Sequence, residues 1–265
     1  MKKIHYLLIL LSFIAIQPIA WCSDQAKEKR WSEQIVDSLL TGESAELEAK
    51  GAKFLGIYTE ASNGPGERVI ILLHGMGVHP DWPEVINPLR SELPEHQWST
   101  LSIQMPILSN DAPLKDYTPL FEEAGPRIDA AVNFLKGKGH TKIVLSGHSL
   151  GAAMGAIYLA ASKPKDIFGF VAIGLSVIEL DEKMNAALAL EKIEIPVLDL
   201  YGSRDLDGVL SSTQQRAKAA RKAGNKYYRQ TEIEGADHFF SGSEDILIKT
   251  VYGWLKRNFG PRNHK

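Results

Sequence analysis

Four short apolar runs, Val69 to Leu73, Ile143 to Leu145, Phe168 to Ile173 and Val197 to Leu200 (interrupted only by Asp199), constrain this chain most. Runs of this length and composition read as strands buried on both faces, which occur in parallel sheets covered by helices. Between and after them lie stretches that read as helices: Trp82 to Leu93, Phe121 to Gly137, Leu150 to Ala161, Ser211 to Ala223 and Ser243 to Asn258. Strands alternating with helices imply right-handed βαβ crossovers and a doubly wound sheet, whose ligands bind beyond the carboxyl ends of the strands. Upstream, Ala45 to Glu60 alternates imperfectly around Gly51 and Gly56 and predicts an antiparallel hairpin at a sheet edge, closed by the turn cluster Asn63-Gly64-Pro65-Gly66. Glu28 to Leu40 reads as a polar-rich helix or irregular lead-in.

The N-terminus has the layout of a secretory leader. Met1-Lys2-Lys3 is basic, and Tyr6 to Ile16 is apolar except for Ser12 and stops at Gln17-Pro18. That run is shorter than the roughly 20 residues a membrane-spanning helix needs. Cleavage after Cys22 would use Ala20 and Cys22 as the small residues of the processing site, and cleavage after Ala20 is the alternative. The expected organisation is a leader over 1–22, a lead-in over 23–44 and one domain over 45–265, in a periplasmic or secreted protein without a stable membrane span. Cys22 is the sole cysteine, so no intrachain disulfide can form. Lipidation of Cys22 is the competing reading, disfavoured by the bulky Trp21 before it. Loss of 1–22 removes Lys2 and Lys3 and no acid, leaving 28 basic against 32 acidic residues, a formal charge of −4. That balance does not point to nucleic acid or an anionic membrane surface as partner. The expected partner is a small-molecule or lipid-like acyl substrate, and the expected state a monomer.

The chemistry is concentrated where the strand Lys142 to Leu145 meets Gly147-His148-Ser149-Leu150-Gly151 and an Ala/Gly-rich helix. G-x-S-x-G alone arises by chance in about one chain in ten of this length. Between a buried strand and a small-residue helix, however, it has the context of a nucleophile elbow, where glycines admit a strained turn. Such a serine needs a base, and the base an orienting acid. Only His238 and His264 follow Ser149, and His264 lies in the basic tail. His238 stands in a loop after the strand-like Tyr228 to Ile233. For the acid, Asp205 lies just past the end of the strand Val197 to Leu200. Asp207 is the close competitor, Asp199 sits inside the strand, and Asp237 reads as a loop-stabilising residue.

His74-Gly75-Met76-Gly77-Val78-His79 follows the first parallel strand, where a second oxyanion donor is required. The backbone N–H groups of Met76 and Leu150 are assigned that role. Val78, Trp82, Phe239 and Phe240 flank these residues and are the candidate acyl-site lining. His74 and His148 read as structural residues. Neither a metal-binding nor a phosphate-binding motif is present, so no metal or cofactor is expected.

Leu73-His74-Gly75, Gly147-His148-Ser149-Leu150-Gly151 and Asp205 with His238, in this order from about Ala45 onward, resemble the α/β-hydrolase superfamily. The stretches Leu72 to Pro83 and Leu101 to Pro106 further resemble a family of exported bacterial serine hydrolases. The resemblance implies an α/β-hydrolase fold, with an antiparallel edge and helices on both faces, and a Ser149–Asp205–His238 triad. It does not imply a substrate. Relatives with lipase activity carry a large lid before the acid-bearing strand. Here only about 20 residues separate Gly174 from Pro196, with room for one short helix over Leu180 to Leu190, so no large lid is expected. The irregular Met105 to Leu120, with three prolines, is the better candidate for shaping the pocket mouth.

Overall fold

The apolar runs become the centre of one eight-stranded sheet in the computed structural model, which describes residues 22–64 and 66–260. The strands are β1 (Glu43–Ala49), β2 (Ala52–Thr59), β3 (Arg68–Leu73), β4 (Ser99–Ile103), β5 (Lys142–His148), β6 (Ile167–Ile173), β7 (Val197–Arg204) and β8 (Tyr228–Asp237). Their order is β1-β2-β4-β3-β5-β6-β7-β8. The hairpin β1/β2 is antiparallel and joins β4 antiparallel, and every pairing from β4 to β8 is parallel. Strand β4 was not read from the sequence. Its Ser99, Thr100 and Ser102 look solvent-facing in a hydropathy pattern, yet all are fully buried. Their hydroxyls are satisfied by the Ala61 N–H, the Arg90 carbonyl and the Pro80 carbonyl respectively.

The helices are α1 (Gln25–Ser38), α2 (Ile86–Glu92), α3 (Leu120–Gly137), α4 (Leu150–Ser162), α5 (Ala186–Leu190), α6 (Asp207–Ser211), α7 (Thr213–Lys222) and α8 (Glu244–Phe259). The two larger apolar cores among the described residues lie on opposite faces of the sheet. One gathers Ile71, Leu73, Leu145 and Phe170 under α3 and α4, and the other gathers Ile70, Leu72, Val144 and Val171 under α2 and α8. Odd and even residues of β3 thus face opposite cores, as the two-residue strand period requires.

The lead-in is a full helix. The Asp24 carboxylate caps α1 through the Lys27 N–H, and Glu28 on α1 forms a buried ion pair with Arg127 on α3 at 2.9 Å. Between β6 and β7, a 3₁₀ turn and α5 replace the single expected helix. Met184, Ala186, Ala189 and Leu190 are buried in the core, so this short segment is anchored. Among the described residues no helix is long and apolar enough to cross a membrane. The leader and the tail bearing His264 lie outside the described residues, apart from Cys22, whose thiol is exposed and unpaired.

Candidate active site

Ser149 stands between β5 and α4 with φ 53° and ψ −121°, a backbone conformation costly for a residue with a Cβ. The turn is sharp because Gly151 packs on the end of β3. A Cβ there would collide with the carbonyl oxygens of Leu73 (2.5 Å) and His74. The strain lifts the Ser149 side chain off the sheet's carboxyl edge toward the loop after β8. There the Ser149 Oγ–H donates to His238 Nε2 at 2.9 Å, and His238 Nδ1–H donates to Asp205 Oδ1 at 2.5 Å.

Asp205 also accepts the N–H of Leu206 (2.8 Å) on Oδ1 and that of Gly202 (3.2 Å) on Oδ2. Burial pushes its carboxyl up, but the hydrogen bond and charge of His238 and these two N–H groups outweigh it, holding Asp205 below the usual carboxylate range. The other acids lie elsewhere. Asp207 is exposed in the first turn of α6. Asp199 is fully buried against Arg216 on α7. Asp237 accepts the N–H groups of Phe239 and Ser241, so it shapes the His238 loop from its own backbone.

His148 and His74, both read as structural residues, brace the site. His148 Nε2–H donates to the His238 carbonyl at 2.9 Å, tying the His238 loop to the elbow. Burial, then the charge of His238, pushes the His148 pKa down to about 4, so the ring stays neutral. His74 Nδ1–H donates to the Gly75 carbonyl at 2.9 Å, while its Nε2 accepts the Met105 N–H at 2.9 Å and the Gln104 side-chain amide at 3.0 Å. Burial drives its pKa down to about 3. Because the peptide is planar and trans, a Gly75 carbonyl held toward His74 turns the Met76 N–H the opposite way. Leu150 is the first residue of α4, so its N–H has no acceptor within the helix.

Gly174, after β6, was not singled out from sequence. Its φ is +59°, and a Cβ there would lie 2.9 Å from the His238 ring, so only glycine leaves room for the imidazole. A glycine directly at the end of a buried strand was the available signal.

The proposed lining separates into surface and core. Phe239 is 43% exposed and packs edge-on against His238 with centroids 5.2 Å apart, and Met76 is 45% exposed. Val78 is half-buried. Trp82 packs partly buried against the α2/α8 core, its ring edge-on to His79, which in turn meets Trp31. Phe240 is fully buried in the same core, which corrects its assignment to the acyl site. Its φ of 56° sends it to the opposite side from Phe239.

A cleft of about 770 Å³ between α1 and the β1/β2 hairpin is lined by Glu28, Lys29, Glu33, Lys53 and Phe54 and by none of Ser149, Asp205 or His238. The cleft and the hydrogen-bonded Ser149, His238 and Asp205 side chains are therefore separate places on the molecule. Among the described residues no three His, Cys, Asp or Glu side chains converge to hold a metal ion.

Sheet order, elbow and the loops beyond β5, β7 and β8 define a protein of the α/β-hydrolase fold. The chain is similar in structure to Est1E from Butyrivibrio proteoclasticus, with 16% identity and TM-score 0.65 over 82% of this chain and 99% of that one. It is likewise similar to the Pyrococcus furiosus esterase Pf2001 (18%, TM-score 0.67, 82% and 91% covered). A third likeness is to a dienelactone hydrolase from Anabaena variabilis (18%, TM-score 0.64, 81% and 96%). Identities this low establish the fold alone. The chain belongs to the family described as "Protein of unknown function (DUF3530)", whose model matches residues 7–125 and 120–257. No curated protein matches it.

Proposed function

We propose that the chain is a serine hydrolase of carboxylic esters or thioesters. The observation that carries this reading is the unbroken chain of hydrogen bonds from Ser149 through His238 to Asp205, set on a strained elbow at the sheet's carboxyl edge. Ser149 Oγ attacks the acyl carbon while its proton passes to His238 Nε2, and Asp205 stabilises the imidazolium. The N–H groups of Met76 and Leu150 receive the negative oxygen, each donor contributing roughly 3 kcal/mol to the transition state. Collapse breaks the bond to the alkoxide or thiolate, which takes the proton from His238 and leaves an acyl group on Ser149. Water, deprotonated by His238, then attacks the acyl carbon, releasing the acid and restoring Ser149.

The structural neighbours support a hydrolase. They include an esterase and a dienelactone hydrolase, and one structure is described as ferulic acid bound to Est1E. The test is labelling of the purified protein with a fluorophosphonate, which reports an activated serine whatever the natural substrate. Ser149 is expected to be labelled stoichiometrically and Ser149→Ala not at all. A folded, unlabelled wild-type protein would instead indicate a noncatalytic binding protein of this fold. Hydrolysis of anilides in preference to matched esters would move the assignment to amidase or peptidase.

The reading puts the acyl group beside Met76, Val78 and Phe239, apolar residues at or next to the proposed oxyanion donors and base. Burial of each substrate methylene contributes up to about 0.8 kcal/mol. From acetate to longer p-nitrophenyl esters, kcat/KM should therefore rise up to about fourfold per carbon over the first few carbons. Because the segment over α5 is anchored in the core, the rise is expected on monomeric esters with no jump at the micelle threshold. A flat profile would indicate a small or polar substrate, and a jump would indicate a mobile cover.

The reading includes export. Lys2, Lys3 and the apolar run to Ile16 support a leader removed near Cys22, and with it a periplasmic or secreted location.

A further inference from the structure

A buried charge cluster away from Ser149, His238 and Asp205 lies beside the position where the leader would be cut. Glu28 on α1 and Glu123 on α3 both face Arg127, whose side chain is 2% exposed. Arg127 Nη1 is 2.9 Å from Glu28 Oε2, whereas Nη2 is 4.0 Å from Glu123 Oε2. Two carboxylates thus share one guanidinium, and Glu123 Oε2 is buried with no hydrogen-bond partner among the described residues. The other oxygen, Oε1, accepts the backbone N–H of Cys22 at 2.5 Å and that of Ser23 at 3.3 Å, and the Ser23 hydroxyl lies 3.3 Å from Arg127 Nη2. Ser23 itself is buried.

From this geometry we propose that leader removal after Cys22 makes the Ser23 α-ammonium the missing partner of Glu123. The proposal rests on the export reading above. Hydrolysis of the Cys22–Ser23 peptide bond by a leader peptidase puts the hydroxyl of water on the Cys22 carbonyl and its proton on the Ser23 nitrogen. That nitrogen takes a further proton from solvent to become an ammonium. The Cys22 amide donor leaves with the leader and the Ser23 amide donor is replaced by three ammonium donors and a positive charge, so the cluster becomes two cations against two carboxylates. A buried carboxylate left without a full partner is costly, whereas a paired and hydrogen-bonded one is not.

The charged groups around Ser23 are Glu123, which accepts its N–H, and Arg127, 3.3 Å from its hydroxyl, both from α3, with Glu28 of α1 paired to Arg127 behind them. From them, hydrogen bonds lead to the site. The Arg127 guanidinium donates to the Gln104 carbonyl at 3.0 Å, the Gln104 side chain reaches His74 Nε2, and His74 holds the Gly75 carbonyl. In parallel, the Asp24 N–H donates to the Ile107 carbonyl and the Ile107 N–H to Glu28, fixing the start of the 105–120 loop. Maturation at Ser23 thus completes the buried support behind the Met76 turn.

The test begins with the intact mass of the full-length gene product purified from a Gram-negative periplasm. Loss of residues 1–22 is expected. A full-length mass, a different cut or a diacylglycerol adduct on Cys22 would overturn both the cleavage site and the pairing. Chains starting at Ser23 and at Trp21 are then compared in wild-type and Glu123→Gln backgrounds. In the wild type the Trp21 start is expected to melt about 5–10 °C lower, as loss of a buried pair does in a domain of this size. In Glu123→Gln the two starts should agree within about 1 °C, because the partner of the charge is gone. The Ser23 α-amine should react with an N-hydroxysuccinimide ester at least about tenfold more slowly than the Trp21 α-amine, since reaction requires local opening. If Glu123→Gln does not fold, Nα-acetylation of the wild-type Ser23 start removes the charge alone and should reproduce the lower melting temperature. Equal melting and labelling of the two wild-type starts would refute the ion pair. A melting difference without any fall in esterase turnover would refute its link to the Met76 turn.

Discussion

Asp205→Asn should lower turnover of a p-nitrophenyl ester by about 10⁴, with the fold intact by circular dichroism. His238 Nδ1–H donates to Asp205 Oδ1, which holds the ring in the tautomer whose Nε2 is free to accept the Ser149 proton. An asparagine here can present its NH₂ to Nδ1. That places the ring proton on Nε2, so the base can no longer accept from Ser149. The imidazolium that forms during attack also loses its counter-charge. Asp207→Asn should cost less than about tenfold, since Asp207 is exposed on α6 and its removal leaves the orienting hydrogen bond in place. Steady-state kinetics of both variants check the assignment. Reversed effects in folded proteins would make Asp207 the acid.

The second large effect is on stability. Asp199 Oδ2 on β7 accepts Arg216 Nε at 2.7 Å, the Tyr228 hydroxyl at 2.5 Å and the Gln230 amide at 2.9 Å, and both ion-pair side chains are fully buried. Burial and the adjacent Asp199 charge raise the Tyr228 phenol, so this residue remains a neutral donor. Arg216→Met leaves the carboxylate buried without its counter-ion and is expected to destabilise by about 3–5 kcal/mol, read as a lower denaturation midpoint at unchanged slope. Combining it with Asp199→Leu should recover part of that loss, because an apolar pair has no charge to desolvate. A double variant no more stable than Arg216→Met alone would place the cost in lost packing. Arg216 Nη1 also bonds the Val209 carbonyl and the Ser212 hydroxyl, which steady α6 directly after the Asp205 loop. Activity of the single variant should accordingly fall before global unfolding.

Much of the architecture was legible because local composition and burial agree. The runs forming β3, β5, β6 and β7 are apolar in a sheet covered on both faces, and the imperfect alternation of Ala45 to Glu60 is the β1/β2 hairpin. Strand β4 was not legible, since its buried hydroxyls are satisfied by Ala61, Arg90 and Pro80, partners that adjoin it only after folding. Phe239 and Phe240 look alike in sequence. A left-handed backbone at Phe240 exposes one ring and buries the other. His148 and Gln104 carry no signature of their roles, because each acts on a backbone or ring brought near by the sheet.

By itself, the sequence determined the alternation of strand and helix, the elbow at Ser149 and the order of serine, acid and histidine along the chain, since each is written in short-range pattern and spacing. Which acid meets His238, which glycine makes room for its ring and where the N-terminus packs were decided only by the tertiary structure. Asp205 and Ser149 stand 33 and 89 residues from His238, and Ser23 stands 100 from Glu123. Parallel strand register and two-sided helix packing bring such residues within hydrogen-bonding distance, and neither is encoded in any local window of the chain.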